Sequence, residues 1–196
     1  MADLLTRSHP LEPYLTALDA LPDGLRVTAE PFVALAGLRV DPASGVQLRG
    51  AALPTTPNTW VPAGDGRLVW LGPDEWLVTS PGTAPEALEA EVAGVLRPVG
   101  GVAVDVSAQR IGLRISGPRA RQVLAKGCAI DLHPRVFVPG SSAQTTLGQA
   151  GVVLLALDGR DDDAEFAVLV RSSFAGYLAT WLLDACLEYA DSAPTS

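Results

Sequence analysis

The chain reads as an α+β fold, mostly antiparallel sheet with flanking helices, resembling no regular strand-helix alternation. Three observations lead there. Short apolar runs with strand-like alternation recur between residues 27 and 171, punctuated by Gly, Pro and Asp. Helical spacing is confined to a few short stretches near 10–21, 83–97, 118–126 and 172–189. The two element types come in mixed order, and no repeat recurs at a fixed period.

With 196 residues, 48% of them hydrophobic, the chain can bury a core of its own, and its length lies near the upper end for one compact domain. The expectation is a single domain over 1–190, divisible into lobes at 1–100 and 101–190, with a loose tail at 191–196. The net charge is -8 and Lys126 is the only lysine. That balance disfavours nucleic-acid phosphates and anionic membranes as partners. The opening MADLLTRSHPLEPYL carries Asp3 and Pro10 where a secretory leader has an unbroken apolar stretch. The longest aliphatic run, Val152 to Leu157, is far below the roughly 18 residues of a membrane span. Cys128 and Cys186 suit reduced, buried thiols better than a disulfide framework or a metal-ligand pair. A cytoplasmic location is expected.

From the amino end, Leu11, Tyr14, Leu15, Leu18 and Leu21 fall at helical spacing and predict a short one-sided helix. Val27 to Val40, broken by Pro31 and Gly37, predicts one or two short strands. Residues 41–66 are rich in Pro, Gly and Thr and read as irregular, although Leu53 and Trp60 need something to pack on. In Arg67 to Ser80 two apolar runs flank Gly72-Pro73-Asp74-Glu75, with Pro73 at the second position of a tight turn, which predicts a pair of strands. Thr83 and Glu86 have the spacing of a capping box. Leu88, Val92, Val95 and Leu96 supply the face of the helix it opens, and Pro98 the stop.

Val102 to Val106 and Ile111 to Ile115 are the next strands. Pro118 suits the first position of a helix whose Ala120, Val123 and Leu124 share a face, with Lys126 at its carboxyl end and Gly127 as the cap beyond. Ala143 to Leu147, Gly151 to Leu157 and Glu165 to Arg171 read as three strands, the last two joined by an acidic hairpin loop at 158–164. Ser172 or Ser173 caps a final helix with Phe174, Leu178, Trp181, Leu182, Ala185 and Tyr189 on one face.

No catalytic set and no metal site emerges from these elements. Asp158, Asp161, Asp162, Asp163 and Glu165 lack the spacing, glycine and terminal glutamate of a calcium loop, so a solvated turn is expected. His9 and His133 each adjoin a proline in a loop, without acid or cysteine at metal-ligand spacing and without a Gly-x-Ser-x-Gly elbow. Gly64-Asp65-Gly66 neither follows a strand nor opens a helix, and no phosphate loop occurs. Trp60, Trp70, Trp76 and Trp181 suit core or interface positions. Arg110, Arg114, Arg119 and Arg121 crowd one strand and its following helix; they suit acids on a partner or, more simply, a solvated face.

Val104-Asp105-Val106-Ser107, Ile115-Ser116-Gly117-Pro118-Arg119-Ala120, Val123-Leu124, Asp131-Leu132, Gln144-Thr145 and Gly151-Val152-Val153 resemble, in order and spacing, the amino-terminal signature of the aminomethyltransferase family. That family includes the glycine-cleavage T-protein and YgfZ-like proteins. Across most of the chain, Leu71-Gly72-Pro73-Asp74-Glu75-Trp76-Leu77, Asp105-Val106-Ser107 and Arg171-Ser172-Ser173-Phe174-Ala175-Gly176-Tyr177-Leu178 resemble the gamma subunits of heterotetrameric sarcosine oxidases. The resemblance implies a folate-binding-like fold in a small subunit, assembled with a large alpha, a flavin-bearing beta and a zinc-binding delta subunit. It implies FAD, FMN, NAD, zinc and tetrahydrofolate in those partners and no cofactor in this chain. Such a complex converts sarcosine to glycine and hydrogen peroxide and passes the methyl carbon on as methylene-tetrahydrofolate.

The departures matter as much as the matches. Where the aminomethyltransferases carry an aspartate after the glycine and two aliphatics, this chain has Gly151-Val152-Val153-Leu154-Leu155. Aliphatic side chains cannot position an amine or share a proton, and the chain is short for the complete three-part transferase. Lys126-Gly127-Cys128 begins like a YgfZ motif, but Ala129-Ile130-Asp131 does not continue it. A non-catalytic subunit with a structural and assembly role is therefore expected. The alternative is an independent folate-binding or aminomethyltransferase-like protein. Asp105 and Asp131 are the only family-aligned acids it has to offer, and each also suits a turn or cap.

Overall fold

The computed structural model describes residues 8–158 and 163–190. Among the described residues twelve strands are formed: β1 (Arg26–Glu30), β2 (Ala34–Arg39), β3 (Gln47–Leu48), β4 (Ala51–Ala52), β5 (Trp60–Ala63), β6 (Gly66–Gly72), β7 (Glu75–Ser80), β8 (Val102–Asp105), β9 (Arg110–Ser116), β10 (Ser142–Leu147), β11 (Ala150–Asp158) and β12 (Glu165–Arg171). The helices are α1 (Leu15–Asp19), α2 (Pro85–Leu96), α3 (Ala120–Ala125), α4 (Ala175–Ala185) and α5 (Leu187–Ala190). A first antiparallel sheet has the order β1-β9-β12-β11-β10 and a second β5-β6-β7-β2-β8, with β3-β4 as a separate ribbon.

The chain crosses between the sheets twice. β1 pairs with the distant β9, whereas the next strand, β2, lies in the second sheet; β8 in turn joins β2 before β9 returns to the first. At the first crossing Phe32 takes φ 55, a left-handed conformation that is uncommon for an aromatic residue.

β11 and β12 are buried on both faces, which is why they read as nearly continuous apolar runs. Val152, Leu154, Ala156, Phe166, Val168 and Val170 share a core with Leu18, Val123, Leu124, Leu178 and Leu182 of the helices α1, α3 and α4. The alternate residues Val153, Leu155, Ala167 and Leu169 meet Leu35, Val69 and Leu77 of the second sheet. On its far side α2 lays Leu88, Val92 and Leu96 on Leu38, Leu68, Trp76 and Val78. The layers are therefore helices, sheet, sheet, helix.

Several local expectations give way. Residues 41–66 are not wholly irregular: they hold a 3-10 turn at Pro42–Ser44, the β3-β4 ribbon and β5. Trp60 there donates its indole N–H to the Ala156 carbonyl at 2.9 Å. The capping box does not form, because α2 starts one residue later, after Ala84, with Pro85 in its first turn and no side-chain cap. Thr83 instead accepts from Ser80 Oγ at 2.7 Å and from Arg49 at 3.3 Å. Val95 lies off the buried face, 41% exposed. Pro118 stands before α3 rather than inside it, and α3 begins at Ala120. Gly127 is not in the left-handed region; a Cβ there would lie 2.4 Å from the Trp181 ring, so it is a close-approach glycine. Before α4 comes a 3-10 turn at Ser172–Phe174, and Ser172 Oγ donates to the Ala108 carbonyl rather than capping a helix.

Two glycines should separate sharply in their response to a methyl group. At Gly66 a Cβ would stand 1.7 Å from the Thr79 carbonyl oxygen, whereas at Gly94, on the exposed side of α2, it meets nothing within 4 Å. Gly66→Ala is expected to lower stability by about 3 kcal/mol, since backbone must move. Gly94→Ala is expected to raise it by about 0.5–1 kcal/mol through helix propensity. Urea unfolding midpoints of the two variants check both signs.

Candidate functional site

The two crossings leave between them a cleft of about 420 Å³, whose walls include His9, Phe32, Asp105, Ser107, Arg110 and Ser172. Asp105 Oδ1 accepts from the Ser107 N–H at 2.9 Å and from its Oγ at 2.6 Å. Ser107 Oγ in turn accepts from the Leu35 N–H at 2.8 Å. This carboxylate therefore fixes the turn by which β8 leaves the second sheet. His9 lies edge-on to Phe32 with ring centres 5.9 Å apart, and its Nδ1 accepts from the Leu11 N–H at 3.3 Å. Burial pulls the imidazole below its ordinary pKa against the field of Glu12, and Nε2 has no partner among the described residues.

Arg110 is the ionic anomaly of the cleft. In the β9-β12 ladder it stands opposite Arg171, a like-charge pairing that costs energy. Burial, then Arg171, pushes its pKa down, with Glu75 opposing. Among the described residues neither guanidinium makes a hydrogen bond or ion pair.

Asp131 is not brought to the cleft with Asp105. It lies in the loop after α3, where Oδ1 accepts from the His133 N–H at 2.8 Å, and His133 Nδ1 accepts from the Arg135 N–H at 3.2 Å. The remaining arginines of the cluster are tied inward, not spread on a solvated face. Arg114 bridges Glu30 at 2.9 Å and Glu165 at 2.8 Å, joining β1, β9 and β12. Arg119 lies 4.6 Å over the Tyr189 ring; Arg121 donates to the Leu132 carbonyl and lies 5.1 Å over Phe166. Of the acidic hairpin, Asp161 and Asp162 fall outside the described residues. Among the described residues no group of three or more His, Cys, Asp or Glu side chains gathers as a metal site. A larger groove of about 650 Å³ follows α1 and β1. Its Asp19 and Asp23 face solvent and its Glu165 is held by Arg114.

The run Gly151-Val152-Val153-Leu154-Leu155 is closed on both sides at its end. Leu154 is 1% exposed in the helix-facing core and Leu155 0% exposed between the sheets. Residues 36–188 match the model of the sarcosine oxidase, gamma subunit family. The chain belongs to that family. The sarcosine oxidase subunit gamma of Corynebacterium sp. (strain P-1) is 36% identical over 165 residues, spanning 81% of this chain and 78% of that protein. Its counterpart from Arthrobacter sp. is 35% identical over the same spans. Among solved structures, a chain of the heterotetrameric sarcosine oxidase from Corynebacterium sp. U-96, in complex with pyrrole 2-carboxylate, superposes with a TM-score of 0.84. The identity there is 29%, over 95% of this chain and 98% of that one. The glycine cleavage system aminomethyltransferase T from Bartonella henselae gives 0.56 at 14% identity, over 89% of this chain and 48% of that one. This second likeness bears on fold alone, and it agrees with the α+β, mostly antiparallel reading.

In this gamma-family chain the single lysine closes the carboxyl-terminal helices. Lys126 Nζ donates to the Ala185 carbonyl, pairs with Glu188 at 2.6 Å and lies 4.6 Å from the Tyr189 ring centre. Cys186 is buried beside it, and Cys128 is partly buried; both are free thiols. Burial raises Cys186 from 9.0 to about 11, with Lys126 opposing. Burial and then the Glu188 hydrogen bond raise Tyr189 too. Burial opposes the charge on Lys126, but its bond to Glu188 and its neighbours outweigh this and raise it.

In each of these groups the folded state holds a proton that the unfolded chain has already released. The stability these three groups contribute is therefore fully present below pH 9 and declines between about pH 9 and 11 as the Cys186 difference is lost, with Lys126 and Tyr189 acting in the same direction. Melting temperature measured against pH should fall in that window. Cys186→Ala should flatten part of the fall; a curve as steep as that of the unaltered protein would contradict the assignment.

Proposed function

We propose that this chain is the gamma subunit of a heterotetrameric sarcosine oxidase and that its contribution is structural. It holds larger subunits in place and supplies no catalytic group. The observation that carries this reading is the end-to-end match to a chain of such an oxidase, with nearly all of both chains superposed. The proposed partners are a large alpha, a flavin-bearing beta and a zinc-binding delta subunit. They would carry the FAD, FMN, NAD, zinc and tetrahydrofolate of a reaction that turns sarcosine into glycine, hydrogen peroxide and methylene-tetrahydrofolate.

Leu154 and Leu155 support the non-catalytic role. General acid-base work needs a polar group within hydrogen-bond reach of the reacting atom, and these side chains are sealed in two cores. An independent folate-binding protein is the second reading, and it rests on Asp105 in the cleft. That carboxylate is occupied by Ser107, and its neighbour Glu30 by Arg114. No helix among the described residues is long and apolar enough to cross a membrane, and a cytoplasmic assembly is part of the proposal.

Expressed alone, the protein is expected to be colourless and inactive on sarcosine; expressed with the other subunits, it is expected to purify with them. Stoichiometric flavin and turnover in the isolated chain would overturn the structural role. Calorimetry with tetrahydrofolate at millimolar concentration should give no binding heat, and a saturable heat would favour the folate-binding reading instead.

A further inference from the structure

Two five-stranded sheets have four edge strands, and three of these are blunted. β1 is covered by α1. β5 carries Pro62 and is followed across by the Thr59–Ser141 bridge, and β10 is met at Leu147 by Cys128. Such devices are how proteins prevent unwanted strand addition. β8 carries no proline and no bridge on its outer edge, and α2 packs on it through the Ala103 face. The Val106 N–H donates to the Leu35 carbonyl at 2.8 Å, and with the register of Val104 on Gly37 and Val102 on Arg39 this sets the alternation of the ladder. The N–H and C=O groups of Ala103 and Asp105 therefore turn away from β2, and no strand lies beyond them among the described residues.

The side chains beside this open backbone are apolar. Val102 is 58% and Val104 56% exposed, and Val95 and Val99, just upstream, are each 41% exposed. At its carboxyl end β8 runs into the cleft, where Asp105 and Ser107 share the lining with Arg110. Arg110 and Arg171 stand opposite each other without an anion, and the nearby Glu75 is already bound to Arg39 at 2.6 Å. Of the cleft's acids, Glu30 and Asp105 are engaged internally and Glu86 is exposed at the start of α2. A chain of net charge -8 thus places an uncompensated cationic pair at the end of its one open, valine-lined edge.

We propose that β8 receives an added strand from a larger subunit of the complex. This is an extended segment whose aliphatic side chains lie along Val102 and Val104 and whose carboxylate reaches Arg110 and Arg171. Main-chain bonds to Ala103 and Asp105 give the affinity, and the guanidinium forks select an acid at that position. The inference rests on the subunit reading above and names the surface through which it operates.

Ala103→Pro removes a donor that β2 does not use, on an edge strand, where proline is tolerated. A double variant, Arg110→Glu with Arg171→Glu, reverses the charge, and the double lysine variant preserves it. Each full-length chain is co-expressed with the other subunits, and the assembled fraction is read by size exclusion, with urea unfolding of the isolated chain as the control for folding. Ala103→Pro and the charge reversal are each expected to lower the assembled fraction about tenfold or more, the effect of losing about 1.4 kcal/mol of binding. The lysine variant should retain most of it. Amide exchange at residues 103 and 105 should slow only on assembly. Normal assembly of both Ala103→Pro and the charge reversal, or fast exchange at 103 and 105 within the complex, overturns this surface while leaving the subunit reading intact. Failure of the unaltered chain to assemble overturns both. Slow exchange at these amides in the isolated protein, together with a dimer mass, assigns the edge to a second copy and overturns the partner segment.

Discussion

The apolar contact between the two sheets, Val153, Leu155, Ala167 and Leu169 against Leu35, Val69 and Leu77, constrains nearly everything else in the molecule. Sheets packed this way stand about 10 Å apart, so only short aliphatic side chains fit between them. It also requires β11 and β12 to be apolar on both faces, because their opposite sides are already committed to the helices. A carboxylate at Leu155 would be stripped of water with no cation to receive it, a burial that costs several kcal/mol. An acid has no place at this point of the strand, because the surrounding packing has closed over it.

With the strand centres closed, polar chemistry is pushed to the margins, and there it is mostly used for holding the chain together. Asp105 ties the β8 turn to β2 through Ser107, Arg114 links three strands through two glutamates, and Lys126 gathers the carboxyl-terminal helices. Each of these groups has the chemistry of a site residue and the geometry of a fastener. Arg110 and Arg171 differ because they repel each other and neither is hydrogen-bonded or ion-paired to an acid among the described residues, Glu75 acting on Arg110 only through its field. A buried or half-buried cation without an anion is unfavourable in the isolated protein and is relieved by a partner that brings one.

The elements with strong local pattern were legible in the sequence. The β6-β7 pair, the strands from β9 to β12, α2 and α4 all follow from alternation or helical spacing within a few residues of their observed ends. The failures share a cause: the deciding partner is remote. β5 is four residues long and holds a proline, so only the Trp60 contact to Ala156, 96 positions away, marks it as structured. Thr83 has the right neighbour for a cap, but Arg49 and Ser80 take its hydroxyl. Gly127 is a glycine because Trp181 presses on it. Of the aspartates named by the resemblance, Asp105 ends β8 and lines the cleft, whereas Asp131 lies in the loop after α3, away from it. His9 gave no sign of lining the cleft. The pairing of Arg110 with Arg171 likewise depends on a register that neither strand reveals alone.

The exchange of β1 and β8 between the sheets has a consequence for how the protein comes into being. β1 leaves the ribosome early, yet the residues that complete its edge, including the Arg114 that binds Glu30, follow 84 positions later. The second sheet is likewise unfinished until β8 has been made. The first sheet cannot mature until β9 and the strands after it have been made, and contacts of such long range delay folding because the intervening loop must close first. The nascent chain therefore carries β1 without its partner strand through about half of its synthesis, while β8, complete by residue 105, closes the second sheet before β9 has been made.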